Sequence, residues 1–364
     1  MKIIQLLPEL NEGGVERGTV ELSRELVKLG HESIVISNGG KLVQEIENHG
    51  AKHIIFDVCS KNPLTVFWRI IKLRQILKDL DPNIVHARSR IPAWLTYLAN
   101  KKLHIPFITT VHGFNSISRY SAIMTKGDSV ICVSSSIKDY IKMHYKVDDS
   151  RIHIIPRGID LKKFNPQNIN DKFVKKFKSL YKLENSFVIT TVGRITQLKD
   201  LETFIQAIAI IKQKIPDAKG VIVGGVREDK EKYFRSLKNL VTHLNLEENI
   251  IFTGSQYEVS QIYALSDVVV SSSKKPESFG RSVAEAIAMN TPVVATNHGG
   301  VLDIIDVGIT GYLFESMQVS NLAESILKAQ HLSFDGYTII SNKFSLDMMI
   351  KTTLKLYMKE KKND

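Results

Sequence analysis

Short apolar runs alternate with longer stretches of helical periodicity along most of the chain. Residues 3–7 form an apolar-rich run, as expected of a parallel strand buried on both faces. A turn at Gly13-Gly14 follows. Val20, Leu22, Leu26, Val27 and Leu29 then recur at helical spacing up to Gly30, a residue suited to ending a helix. Residues 33–37 predict a second strand, and 84–86, 107–111 and 129–133 repeat the pattern with helical segments between them. Residues 157–185 break it. They are rich in Lys, Asn and Asp and carry Pro166, which predicts an interdomain connection with a short helix over 171–181.

A second alternation begins at residue 187. Strands are predicted over 187–192, 220–223, 250–253, 268–271, 293–296 and 311–314, and helices over 201–215, 228–244, 281–289 and 321–329. A closing helix over 345–362 is placed to pack back on the first domain. Strands alternating with helices make parallel, doubly wound sheets. The expected fold class is therefore α/β, with two Rossmann-like domains over 1–165 and 186–340. Such sheets bind ligands outside the carboxyl ends of their strands. Two of them facing one another would enclose a cleft, with a nucleotide held by one domain and a second substrate by the other.

Composition narrows the class. The 364 residues are 43% hydrophobic and 24% charged, which excludes a collagen, a largely disordered chain and a disulfide-stapled miniprotein. The net charge of +11 is unevenly spread: residues 51–200 hold 26 basic and 11 acidic side chains. An anionic partner for one part of the molecule is the expectation. Nucleic acid is disfavoured, because no helix-turn-helix or RNA-binding aromatic pattern stands out. Cys59 and Cys132 are the only cysteines, which suits a reducing cytosol. No run approaches the ~18 apolar residues of a membrane span, and Pro8-Glu9 stops the N-terminal run short of a signal peptide.

The chemistry-bearing residues gather at predicted strand ends. Pro276-Glu277-Ser278-Phe279-Gly280-Arg281-Ser282 leaves the strand over 268–271 and enters a helix. Amides at a helix start suit a phosphate, Gly280 lets backbone approach a ligand, and Glu277 can accept from sugar hydroxyls. Glu285, about one helical turn further on, can reach ribose hydroxyls. Arg194 and Lys199 follow the strand over 187–192, where two cations can neutralise a diphosphate without a metal. Gly13-Gly14 resembles a phosphate loop without its full spacing. His112 and His86 follow strands in the first domain. No metal site is expected: the histidines lack HExxH spacing, and Asp79-Leu80-Asp81 precedes a strand and reads as a helix-ending turn.

Together these residues resemble a glycosyltransferase of family 4, with the GT-B architecture, over nearly the whole chain. Glu277 and Glu285 match the family's E-x7-E motif, which continues through Pro292-Val293-Val294-Ala295. Arg194 and Lys199 match its diphosphate-binding pair, Gly13-Gly14 its N-terminal glycine turn, and His112 the histidine near the transferred sugar. Arg157 departs from the family's P-N-G-V-D, and Asp303 from its G-G-x-x-E. The resemblance implies a retaining hexosyl transfer from a nucleotide-sugar donor without metal or other cofactor. It implies His112, Glu277, Arg194 and Lys199 as catalytic groups. The donor would be held by Gly13, Gly14, Arg194, Lys199, Glu277, Phe279, Gly280, Arg281, Ser282 and Glu285. Residues 85–94 are similar to enzymes of lipopolysaccharide core and envelope glycan assembly.

That narrower similarity implies an envelope glycan or glycolipid acceptor on the first domain, in the cytoplasm. Residues 68–78 mix apolar and basic side chains on one predicted helix, which suits peripheral attachment to an anionic membrane. The competing readings are a nucleotide-sugar epimerase and a non-catalytic nucleotide-sugar sensor.

Overall fold

The computed structural model describes residues 1–11 and 13–361. Lys362, the expected end of the closing helix, lies outside the described residues. The chain divides into two compact units, Met1–Gly158 with the chain from Asp347 onward, and Ile159–Leu346.

The first unit carries seven parallel strands: β1 (Lys2–Leu6), β2 (Glu32–Ser37), β3 (Lys52–Ile55), β4 (Ile84–Ala87), β5 (Phe107–Val111), β6 (Ser129–Cys132) and β7 (Ile152–Ile154). Their spatial order is β3-β2-β1-β4-β5-β6-β7. The helices are α1 (Gly14–Lys28), α2 (Val43–Asn48), α3 (Pro63–Leu80), α4 (Arg90–Asn100) and α5 (Ser135–His144). The second unit carries α6 (Asp171–Leu180), β8 (Phe187–Val192), α7 (Leu201–Lys212), β9 (Ala218–Val223), α8 (Glu231–His243), β10 (Ile250–Gly254), α9 (Val259–Leu265), β11 (Val268–Ser271), α10 (Arg281–Ala288), β12 (Val293–Thr296), β13 (Gly311–Phe314), α11 (Val319–Ala329) and α12 (Gly336–Phe344). Its six strands run parallel in the order β10-β9-β8-β11-β12-β13. The closing helix is α13 (Leu346–Lys361).

Both orders reverse direction once, at β1/β4 and at β8/β11. In open α/β sheets the ligand crevice opens at that switch point, outside the carboxyl ends. The central strands are apolar on both faces because helices cover both: β4, β5, β6, β11 and β12 are buried along their whole length. The edge strands β3 and β7 are not. Both are only partly buried and carry no unbroken apolar run, which is why periodicity passes over them.

The expected connection over 157–185 belongs to the second unit from Ile159 on. Ile159 pairs in parallel with Ser345, Phe164 is buried and its ring lies 6.2 Å from Tyr263, and Phe177 of α6 joins a cluster with Val188, Val221 and Ile262. Polar composition hid these anchors. The closing helix packs within the first unit: Tyr357 Oη lies 2.7 Å from His86 Nδ1, and Ser129 Oγ donates to Glu360 Oε1 at 2.9 Å.

Helix α3 carries the expected stretch of mixed apolar and basic side chains. Asn62 caps it by accepting from Leu64 N–H, with Pro63 in the first turn, and Asp81 in the left-handed region (φ 43°) closes it, so the Asp79-Leu80-Asp81 segment is a helix end. Within it, Arg69 turns inward beside the buried Leu73 and Leu77, while several large apolar side chains turn outward. Arg69 is 2% exposed, whereas Leu64 is 88%, Phe67 72% and Trp68 61% exposed. Arg74 is tied to the carbonyls of Ala99 and Leu98 at 3.0 and 3.2 Å. Only Lys72 and Lys78 of its basic residues lie exposed. No helix among the described residues is long and apolar enough to cross a membrane.

Candidate active site

In the second unit the site is assembled at the ends of β8, β11 and β12. After β8 a short 3-10 turn, Gln197–Lys199, presents Lys199. Two bonds tie this turn to the loop after β11: Ser272 Oγ donates to Lys199 O at 2.8 Å, and Lys274 N–H donates to Leu198 O at 2.9 Å. Lys274 Nζ also meets the buried Asp200 at 3.2 Å.

Lys199 Nζ donates to Glu277 Oε1. The same oxygen accepts from Ser273 Oγ at 2.7 Å and, more weakly, from Ser271 Oγ at 3.5 Å. Oε2 makes no hydrogen bond among the described residues. Burial opposes the charge on Glu277, but Lys199 and the serine hydroxyls outweigh it and hold the carboxyl below its usual range. A carboxylate fixed through one oxygen leaves the other to accept from a ligand hydroxyl.

The loop from Glu277 to Gly280 is threaded against the turn after β12. Gly300 N–H donates to Glu277 O at 2.7 Å. Gly299 sits at φ +81°, and a Cβ there would meet Glu277 O at 2.5 Å. Gly280 caps α10 at φ +101°, where a Cβ would strike Val301 Cγ1 at 2.6 Å. In the first turn of α10, Val283 N–H donates to Gly280 O at 3.1 Å, while the Ser282 amide before it has no acceptor within the helix. Ser282 is half-buried in that turn. Phe279 is 2% exposed and its ring packs 5.8 Å from Phe344. Only its backbone is left to face a ligand.

Glu285 is pinned from two sides. Arg281 Nε donates to Oε1 at 2.9 Å, and Tyr263 Oη donates to Oε2 at 3.3 Å. Burial raises its pKa above the usual range, with Arg281 and Tyr263 opposing. Arg194 is exposed and has no ion-pair partner among the described residues, so the fold joins Lys199 to Glu277 and leaves Arg194 apart.

The first unit builds a second cluster at the ends of β1, β4 and β5. Gly13 is the N-cap of α1. Arg157 fills the space above Gly14: its Nη1 lies 2.3 Å from where a Gly14 Cβ would sit. Arg157 Nη2 lies 3.4 Å from His112 Nδ1. Arginine only donates, so Nδ1 accepts and the ring proton belongs on Nε2. That Nε2 is buried without a partner. Burial, reinforced by Arg88 and Arg157, holds the His112 pKa well below its usual value, leaving a neutral ring with one N–H to offer. Arg88 donates to Gln5 Oε1 at 2.9 Å, while its buried Nε has no partner. A cavity of about 300 Å³ opens here, lined by Glu16, Arg88, Arg90, Thr110, His112 and Asn115.

His86 has a different role. It lies inside β4, 1% exposed, with Nδ1 2.7 Å from Tyr357 Oη and Nε2 2.6 Å from Thr110 Oγ1. Both ring nitrogens are engaged, so it ties the closing helix to the sheet. Sequence reasoning missed Arg88, Tyr263 and His298. The last of these follows β12 with both ring nitrogens buried and unpartnered. Position after a strand is the only signal that marks it.

Two family models match the chain: "Glycosyl transferases group 1" over residues 173–337 and "Glycosyltransferase Family 4" over residues 12–163. A solved structure of a glycosyltransferase from Rickettsia africae ESF-5 is 34% identical, covers 100% of this chain and 99% of its own, and superposes with a TM-score of 0.92. Among curated relatives, the N-acetyl-alpha-D-glucosaminyl L-malate synthase of Bacillus anthracis is 27% identical over 89% of this chain and 86% of its own. The UDP-Gal:alpha-D-GlcNAc-diphosphoundecaprenol alpha-1,3-galactosyltransferase of Escherichia coli is 27% identical over the same shares, 89% and 86%.

Proposed function

This chain belongs to glycosyltransferase family 4, and we propose that it is a retaining, metal-independent hexosyltransferase acting on an envelope glycan or glycolipid, in lipopolysaccharide biosynthesis. The observation that carries the reading is the Lys199–Glu277 pair at the carboxyl edge of β8 and β11. The Escherichia coli relative, by its name, uses a UDP-sugar and a diphosphoundecaprenol-linked acceptor, which supports a nucleotide-sugar donor and a lipid-borne acceptor here.

In this reading the second unit holds the donor. Arg194, Lys199 and the first amides of α10 neutralise the diphosphate as the bond to the sugar breaks, so that charge meets fixed donors at the moment it develops. Glu277 accepts from sugar hydroxyls through Oε2, and Glu285 from the ribose. His112 offers its Nε2–H to an oxygen of the transferred sugar. Two cations and backbone amides do the work a metal does elsewhere. The first unit receives the acceptor and attaches peripherally to the cytoplasmic face of an anionic membrane. Its contact there is the outward apolar face of α3, flanked by Lys72 and Lys78.

Incubation with UDP-, GDP- and ADP-sugars and a diphosphoundecaprenol-linked acceptor, with and without EDTA, tests this. The expected product keeps the donor's anomeric configuration, read by proton NMR, and forms equally with EDTA. Activity lost to EDTA and restored by Mg²⁺ or Mn²⁺ would overturn metal independence. An epimerised donor with no acceptor product would favour an epimerase.

A further inference from the structure

The first unit holds a second cavity that the transfer reaction does not use. It measures about 510 Å³, within the range of about 300–1,000 Å³ typical of small-ligand pockets, and lies between the start of α3 and one face of α4. Val66, Ile91, Trp94, Leu95 and Leu98 supply apolar walls, and Lys61 and Arg69 supply cations.

Arg69 is the unusual member. It is 2% exposed, and its Nε and Nη2 bond Thr65 Oγ1 and Asn62 O, both at 3.2 Å. Its Nη1 is buried with no partner, and Asp57, the nearest carboxylate, is 3.9 Å from Nε. A buried guanidinium N–H without an acceptor is costly, and Arg69 is among the residues that line the cavity. An apolar chamber with Lys61 in its wall and one guanidinium nitrogen of Arg69 still without an acceptor suits a ligand with a hydrocarbon part and an anionic head.

Two further observations point the same way. Helix α4 divides this cavity from the one at His112. Ser89 and Arg90 line the His112 cavity, and Ile91 and Trp94 line the apolar one, so one helical turn serves both. On the far side of α3, Leu64, Phe67, Trp68 and Ile71 lie exposed at the i, i+3, i+4, i+7 spacing of a single face, as a surface meeting lipid requires.

We infer that this cavity binds one hydrocarbon chain of a phosphate-bearing lipid, with the phosphate on Arg69 and Lys61 and the chain against Ile91, Trp94, Leu95 and Leu98. The purpose of the site, to hold the lipid part of the acceptor beside the transfer cavity, rests on the transferase reading; its occupancy does not. Binding of an amphiphile is measured without turnover, so the two readings fail separately.

The probe is dodecyl phosphate below its micelle concentration, followed by calorimetry on the full chain, with dodecanol and inorganic phosphate as the other arms. The expected result is binding at least tenfold tighter than dodecanol, and none detectable with inorganic phosphate. Leu98→Trp, which fills the chamber, abolishes the binding, and the exposed Lys61→Gln weakens it several-fold with an unchanged unfolding midpoint. Dodecyl phosphate bound no tighter than dodecanol would overturn the anionic head. Inorganic phosphate bound as tightly as dodecyl phosphate would make free phosphate the ligand and overturn the lipid. Full binding by both variants would move the ligand elsewhere. If Leu98→Trp does not fold, Lys61→Gln alone decides.

Discussion

The two units end their sheets with the same topology and opposite electrostatics. At the carboxyl edge of the second unit the acids arrive already partnered: Glu277 with Lys199 and two serines, Glu285 with Arg281 and Tyr263. At the corresponding edge of the first unit, buried polar atoms are left unmatched, among them His112 Nε2, Arg88 Nε and Gln5 Nε2. An unsatisfied buried donor costs roughly 1–3 kcal/mol. The second unit is thus organised to stabilise charge before a ligand arrives. The first retains donors whose acceptors a ligand must bring, a feature the second shares at His298, whose ring nitrogens are both buried without a partner.

Breaking the pair in the second unit should have the largest effect. Lys199→Ala leaves Glu277 without its cation and removes a donor from the leaving diphosphate, so kcat should fall about 10²–10³-fold. Loss of one partner from this partly buried pair also destabilises, because it leaves the other charge without its counter-ion. Arg194→Ala, with no partner to orphan, should slow transfer and leave the unfolding midpoint in place. Equal destabilisation by the two, read by thermal unfolding, would erase the distinction between paired and free cations.

A smaller effect separates the two acids. Glu285→Ala should weaken binding of free nucleoside diphosphate by about 10- to 150-fold, since hydrogen bonds to charged groups are worth roughly 1.5–3 kcal/mol. Glu277→Ala should spare that binding and reduce transfer. Calorimetry showing equal losses would break the division between sugar and ribose contacts.

Acid should separate the units in opposite directions. His86 and His112 titrate well below their usual value because they are buried, with Arg88 adding to it for both. Below the unfolded value of about 6.5 the unfolded state binds protons that the folded state refuses, so their contribution to stability falls as pH drops through that window. Glu285 has the opposite sign. Burial raises its folded pKa, so the folded carboxyl takes a proton before the unfolded one, and its contribution improves as pH falls through the folded value. Hydrogen exchange at pH 7.5 and 5.5 should show protection lost in the first unit ahead of the second. His112→Gln should reduce the difference. Uniform loss across both units would contradict the sign argument.

The mildest expected effect concerns the outward face of α3. A Lys or Arg near an anionic surface contributes about 1 kcal/mol at most, and apolar burial about 25 cal/mol per Å². Membrane attachment should therefore depend on Phe67 and Trp68 as well as on charge. Phe67→Asp with Trp68→Asp should lower co-sedimentation with anionic vesicles several-fold, whereas high salt should lower it only in part. Binding lost entirely to salt, with the double variant unaffected, would return α3 to a purely electrostatic role.

Much of the framework was legible in the sequence. The strands over 107–111, 187–192, 268–271, 293–296 and 311–314 form where apolar runs predicted them, because a strand covered by helices on both faces must be apolar throughout. The helix over Arg281–Ala288 follows from Gly280 before it and the apolar spacing after it. The glutamates at 277 and 285 and the cations at 194 and 199 were also readable, as residues just past strand ends. These signals are local: they lie within one element and its cap.

What the sequence did not determine is which of these groups meet. Lys199 and Glu277 are 78 residues apart and are joined because β8 and β11 are neighbours at the switch point. Arg157, a departure from the family pattern, takes its place beside Gly14 and His112 only through the order of β1, β5 and β7. His86 and His112 look alike in sequence. One is locked by the closing helix and the other is left with a free N–H, because Tyr357 reaches only the first. In α3 the pattern fixed a helix but not its facing: Arg69 went inward and Trp68 outward. Periodicity records that a side chain recurs on one face. Which face is covered depends on neighbours distant in sequence, and that is decided by packing.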